Sequence, residues 1–187
     1  MLNGVNGFLF DLDGVLCVEG EPIDGAIEVI NELQSNNIPF RIVTNYTTLS
    51  RKRLYSKLIK IGFDLKEDHI FSASYAGVLR LRELDNPRCQ FFLNKDSLKD
   101  YEEFLIDNEN PEYIIIGDLD DQWSFEIVND IFNKVINGSK VIALHKGRYF
   151  QVKSGLQIDS GAFIKGIEYA ASNSYRLTVK KFFFRFL

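Results

Sequence analysis

The chain has 187 residues, 45% of them apolar, which is enough for a sizeable core in one domain or in one domain carrying an insertion. Its net charge of −4, with Lys and Arg scattered along the chain, excludes a nucleic-acid surface and a basic membrane face, and no stretch approaches the roughly 20 apolar residues that span a bilayer. Cys17 and Cys89 are far apart and in no metal-type spacing, and the N-terminus lacks a basic segment leading into a long apolar run, so reduced thiols in a cytoplasmic protein are expected.

Short β-rich apolar runs alternate with helix-length periodic segments, the pattern of βα units around a mostly parallel sheet, so the expected class is α/β. Residues 7–11 read as a first strand and 25–35 as a helix, because Ile27, Ile30 and Leu33 recur at near-helical spacing. A strand over 38–43 follows, then a helix capped by Thr48 or Ser50 that carries Leu54, Leu58 and Ile61 on one face and ends at Gly62. A short strand over 69–73 closes this unit. The pattern then restarts with a helix from about 76 to 84, a strand over 89–93, a helix over 97–106, a strand over Tyr113–Ile116, a helix over 124–136 and a strand over 140–144. A turn at Lys146-Gly147 is expected to pair 141–145 with 148–152 as a hairpin. A helix over 161–171 and a strand over 175–179 complete the chain. Residues 1–75 are thus expected to open a core, 76–156 to form an inserted α/β cap, and 157–187 to return to the core.

The chemistry concentrates at two strand ends. Phe8-Leu9-Phe10-Asp11-Leu12-Asp13-Gly14 runs an apolar strand into two aspartates one residue apart, and strand alternation sends both side chains the same way. In an open α/β sheet the crevice beyond the carboxyl ends of the strands is the usual ligand site, and two carboxylates that close call for a cation such as Mg²⁺. The string Asp-x-Asp-Gly alone is weak, since average residue usage produces it in roughly one chain of this length in twenty or thirty. An EF-hand loop would need an oxygen ligand and then a glycine where this chain has Val15 and Leu16. The second strand end, Ile42-Val43-Thr44-Asn45, offers a hydroxyl and an amide suited to phosphoryl oxygens, although the same two residues also cap helices well.

These two motifs resemble those of the haloacid dehalogenase-like superfamily: an apolar strand ending Asp-x-Asp-Gly, then one ending Thr/Ser-Asn. The likeness is to its branch of 4-nitrophenyl phosphatases with a large cap, and residues 142–169 look particularly like the phospholysine phosphohistidine inorganic pyrophosphate phosphatase group. The resemblance implies a Rossmann-like core with an inserted α/β cap and a phosphatase acting on a small phosphorylated metabolite, phosphoramidate or pyrophosphate. It further implies that Asp11 is the nucleophile forming an aspartyl phosphate, that Asp13 is the acid and base, and that Thr44 and Asn45 bind the transferring group. Mg²⁺ would be held by Asp11, the Asp13 backbone carbonyl and a later acidic motif.

The resemblance weakens toward the end. The family's lysine stands in Gly-Lys-Pro, whereas Lys180, near the expected place, is flanked by neither glycine nor proline, and no later Gly-Asp-x-x-x-x-Asp follows. The expectation is a core left incomplete by truncation, with an unpaired edge beside the first strand. A non-catalytic remnant that keeps the cap and half of the core is the alternative. Ile116-Gly117-Asp118-Leu119-Asp120-Asp121 mimics the missing acidic motif but is expected on the other sheet. His145, Lys146 and Arg148 read as a solvated hairpin by residue type, and the resemblance offers them as cap residues facing the substrate. Trp123, Phe125 and Phe132 are expected to pack a cap helix. No partner beyond a small substrate is implied, and a homodimer stays open.

Overall fold

The structure is a computed structural model that describes residues 5–152 and 154–171. Lys180, the strand expected over 175–179 and the aromatic run over 182–186 lie outside the described residues.

The first unit is a three-stranded parallel sheet in the order β1-β4-β5, formed by β1 (Phe8–Asp11), β4 (Phe40–Thr44) and β5 (Ile70–Ser72). Phe40, Ile42 and Thr44 of the central strand are 4%, 0% and 2% exposed while Arg41 between them is exposed, the alternation of a strand that turns one face to the core. Between β1 and β4 come a hairpin of β2 (Cys17–Val18) and β3 (Glu21–Pro22), then helix α1 (Ala26–Ser35), which buries Ala26, Ile30 and Leu33 on one face. Helix α2 (Arg51–Lys60) joins β4 to β5. Ser50 caps it by accepting the Arg53 N–H at 3.3 Å, Leu54 and Leu58 bury its inner face, and Gly62 turns the chain away at φ 108°. These helices and strands share one core with Leu12, Leu16 and Phe63. Among the described residues β1 pairs with β4 alone.

The second unit is another three-stranded parallel sheet, in the order β6-β7-β8, formed by β6 (Cys89–Phe92), β7 (Tyr113–Ile116) and β8 (Lys140–Ala143). Alternation along β7 sends Ile115 to the side of helix α3 (Ala73–Glu83) and Ile114 and Ile116 to the other side, where helices α4 (Phe125–Ile136) and α5 (Ser160–Ala170) lie. All three isoleucines are at most 1% exposed, and each such side chain contributes on the order of 1.5–3 kcal/mol on burial.

Four details depart from the sequence reading. The helix expected over 97–106 is a single 3₁₀ turn, Ser97–Tyr101. Beyond it the chain runs extended against β6, with the Cys89 N–H donating to the Leu105 carbonyl at 2.9 Å and the Asp107 N–H to the Cys89 carbonyl at 2.8 Å. The hairpin expected to turn at Lys146-Gly147 does not form, because β9 (Tyr149–Val152) pairs antiparallel with β10 (Gly155–Ile158) and not with β8. The helix expected to return toward the first sheet, α5, packs on the second through Ile164 and Ile167. Phe125 is 78% exposed, whereas Trp123 and Phe132 pack as expected.

The two units meet where α2 begins. Asp96 accepts the Ser50 N–H and hydroxyl at 3.0 and 3.1 Å, and Asp100 accepts the Arg51 N–H at 2.9 Å, so two carboxylates from the second unit satisfy the free amides of a helix N-terminus in the first. The end of β7 also abuts the loop after β4, where the Asp118 N–H donates to the Thr47 hydroxyl at 3.0 Å.

Candidate active site

The register of the first sheet decides what its carboxyl edge can present. Asp11 stands opposite Val43, and Thr44 stands opposite Ser72, so the ends of three adjacent parallel strands bring Asp11, Thr44 and Ser72 to one edge. Leu12 is buried at 3% exposure while Asp11 and Asp13 on either side of it are exposed, so the two aspartates flank a side chain anchored in the core.

The loop after β1 is tightly tied. Asp11 Oδ1 accepts the Leu12 N–H at 2.8 Å, the Leu12 carbonyl accepts the N–H groups of Leu16 and Cys17 at 3.0 and 2.9 Å, and the Gly14 N–H donates to the Cys17 carbonyl at 2.7 Å. Gly14 adopts φ 80°, a value that an L side chain resists. The hairpin behind this loop turns through Glu19 and Gly20, at φ 52° and 87°, as a two-residue turn of the primed kind requires. Partial desolvation, followed by the Asp11 charge, raises the Asp13 carboxyl above the usual range, and Lys57 on α2 opposes the shift. The Lys57 ammonium also lies 5.9 Å from the centre of the Tyr46 ring.

Thr44 is 2% exposed and its hydroxyl accepts the Tyr46 N–H at 3.3 Å; Asn45 is exposed. The backbone thus brings together the strand ends that carry Asp11, Asp13, Thr44 and Asn45. Lys57 was not singled out by sequence reasoning, and its only signal was an amphipathic helix directly after the Thr-Asn strand.

The residues of the 145–148 loop stand at the end of the second sheet. His145 Nδ1 lies 3.7 Å from Asp159 Oδ2 and accepts the Gly147 N–H at 3.4 Å. Lys146 Nζ lies 2.5 Å from Glu168 Oε1 on α5. Burial would raise the Glu168 carboxyl, but Lys146 and Lys165 outweigh it and hold the group low. Arg148 is exposed, and its carbonyl accepts the Asp159 N–H at 3.2 Å. Asp118 follows β7, which belongs to the second sheet, where the sequence reading expected its strand.

Over 162 residues the chain is 33% identical to haloacid dehalogenase-like hydrolase domain-containing protein 2 of Bos taurus, covering 87% of this chain and 61% of that protein. Over 175 residues it is 30% identical to phospholysine phosphohistidine inorganic pyrophosphate phosphatase of Danio rerio, covering 90% of this chain and 64% of that protein. The chain therefore spans less than two thirds of the length of either relative. Its fold matches a thermostable p-nitrophenylphosphatase from Bacillus stearothermophilus with a TM-score of 0.79 at 29% identity, covering 92% of this chain and 68% of that one. The profile of the haloacid dehalogenase-like hydrolases matches residues 8–104, just over half of the sequence, and takes in both the Asp11 and the Thr44 strand ends. With two parallel strands ending in those motifs and a profile that spans them, the chain belongs to the haloacid dehalogenase-like hydrolase family.

Proposed function

We propose that the chain is the part of a Mg²⁺-dependent phosphatase that carries its nucleophile, acting on a small phosphorylated metabolite, phosphoramidate or pyrophosphate. The observation that carries this reading is the β1–β4 register, which sets Asp11 against Val43 with Thr44 and Asn45 next in line. An Asp11 carboxylate oxygen attacks phosphorus, forming an aspartyl phosphate as the bond to the leaving group breaks. The raised Asp13 carboxyl retains a proton to higher pH, which suits it to protonate that leaving group and then, ionised, to take a proton from the attacking water. The Thr44 hydroxyl and Asn45 amide donate to the phosphoryl oxygens. The exposed Asp11 carboxylate and the Asp13 backbone carbonyl are hard oxygen donors that fit Mg²⁺, and a bound ion would offset the charge of the transferring group while the Asp13 carboxyl stays free for proton transfer.

The second sheet, bound to the first through Asp96, Asp100 and Thr47, serves in this reading as a cap, with Arg148 the exposed cation of its 145–148 loop. Two buried free cysteines support a reducing, cytoplasmic setting. The test is Mg²⁺-dependent release of phosphate from 4-nitrophenyl phosphate and from pyrophosphate. Asp11→Asn should lower the rate by at least about a thousand-fold, as expected for loss of a nucleophile. Activity that survives in Asp11→Asn would overturn the assignment, and a parent chain without Mg²⁺-dependent release would favour a non-catalytic binding module.

A further inference from the structure

The carboxyl edge of the second sheet carries a donor set of its own. Asp118 stands just after β7, His145 just after β8, and Asp159 caps α5, with one ligand atom from each lying within 4.8 Å of the other two. Residues 27 and 14 positions apart in sequence therefore meet through the parallel crossovers and not through any local motif. Asp159 is 9% exposed, which is unusual for an ionisable side chain. The Gly147 N–H donates to His145 Nδ1, which places that lone pair on the side of Asp159 and the ring proton on Nε2, an atom shut off from solvent with no hydrogen-bond partner among the described residues.

The surroundings are fixed. The Thr47 hydroxyl holds the Asp118 N–H, Asp159 Oδ1 accepts the Ser160 N–H at 2.6 Å, and the Gly161 N–H donates to the Gly147 carbonyl at 3.0 Å. The cation of the same loop, Lys146, is turned to Glu168. Two carboxylates and an imidazole thus converge where hydrogen bonds already hold the surrounding backbone.

We propose that Asp118, His145 and Asp159 form a binding site for a divalent cation of the zinc type, separate from the Asp11–Asp13 pair. The donor set selects the ion. An imidazole nitrogen with two carboxylate oxygens suits Zn²⁺, whereas Mg²⁺ prefers oxygen ligands alone and keeps several waters. A tetrahedral ion with bonds of about 2.0–2.2 Å holds its ligand atoms about 3.3–3.6 Å apart. With Nδ1 as the ligand atom, His145 lies 3.7 Å from Asp159 Oδ2, almost at that spacing, and the widest separation closes by a rotamer-scale movement of about 1 Å that also releases the long contact from the Gly147 N–H. Bound there, the ion ties the ends of β7, β8 and α5 together beside Thr47, which belongs to the loop after the Thr44-Asn45 strand end.

The experiment titrates ZnCl₂ into the chelator-stripped full chain by calorimetry, with millimolar Mg²⁺ present to occupy the Asp11–Asp13 pair, and repeats it with Co²⁺ followed by visible absorption. One equivalent of Zn²⁺ should bind, and Co²⁺ should give the intense visible bands of a low-coordinate site. Asp118→Asn, His145→Gln and Asp159→Asn should each weaken binding by more than about ten-fold, the lower end for losing a group that only supports a ligand. Asn caps helices as well as Asp does, so Asp159→Asn keeps the start of α5, and an unchanged melting curve separates lost binding from lost folding. Asp11→Asn should bind Zn²⁺ as the parent does, which keeps this site independent of the phosphatase reading. No saturable binding in the parent, or parental affinity in folded His145→Gln and Asp159→Asn, would overturn the proposal.

Discussion

Two glycines of α5 should respond oppositely to the same substitution. A Cβ added at Gly166 meets nothing within 4 Å, so Gly166→Ala only exchanges a poor helix former for the best one and should stabilise by about 0.8–1.0 kcal/mol. A Cβ at Gly161 would lie 2.3 Å from the Gly147 carbonyl oxygen and 2.7 Å from the Lys146 carbonyl carbon, and these are backbone atoms that no rotamer change can remove. Overpacking of this kind costs about 1–3 kcal/mol. The hydrogen bond from Gly161 to Gly147 is strained or lost, at about 0.5–1.5 kcal/mol. Against these stands a helix gain of at most about 1 kcal/mol, so Gly161→Ala should destabilise by about 1–3 kcal/mol. Urea unfolding monitored by circular dichroism reads both signs, and melting temperatures should separate at about 2–4 °C per kcal/mol for a chain of this size. The same clash pushes the 145–148 loop away from Asp159, so Zn²⁺ affinity should fall in Gly161→Ala and hold in Gly166→Ala. Equal stabilisation of the two variants would refute the close approach of α5 to that loop.

Titration of Asp13 gives a second check. Its carboxyl is raised, by desolvation first and then by Asp11, so the fold favours the protonated form; that stabilisation is complete below the ordinary carboxylate range and is lost as pH rises through the raised value. In metal-free buffer Asp13→Asn should therefore melt higher than the parent near pH 7, with the gap closing toward about pH 3, below the ordinary Asp range. Lys57→Met, which removes the attraction opposing the shift, should enlarge the gap, and a parent more stable than Asp13→Asn at neutral pH would contradict the sign. The thiols give a third. Cys89 is fully buried and pushed up to about 12, and Cys17 is 3% exposed and raised by burial and then by the Asp13 charge. A disulfide thiol reagent at pH 8 should leave both untouched until denaturant is added, and labelling of either within the mixing time would show that its cover opens.

What the sequence revealed depended on how local the cause was. Strands such as Tyr113–Ile116 and helices capped by Ser50 or Ser124 were legible because period, cap and length agree within a dozen residues. Residues 97–106 carried a helical pattern and did not keep it. Asp96 and Asp100 are turned to the N-terminus of α2, and the following residues pair with Cys89, so contacts more than fifteen residues away in sequence outweighed propensity. The turn at Lys146-Gly147 failed for a related reason: the Gly147 carbonyl is taken by the Gly161 N–H, fourteen residues on, which a hairpin rule confined to neighbouring residues cannot register.

The two candidate sites differ in the same way. Asp11, Asp13, Thr44 and Asn45 lie directly after apolar strands, and a parallel sheet delivers successive strand ends to one edge, so their meeting followed from fold class alone. Asp118 and His145 also follow apolar strands and meet by that rule, but on the second sheet. Asp159 arrives from a helix cap, and the residue pair that brings it there is Gly147 with Gly161, whose missing side chains let two backbones touch. A glycine records where a side chain is absent without recording what takes its place, so the third ligand of that cluster was not legible before the crossovers were known.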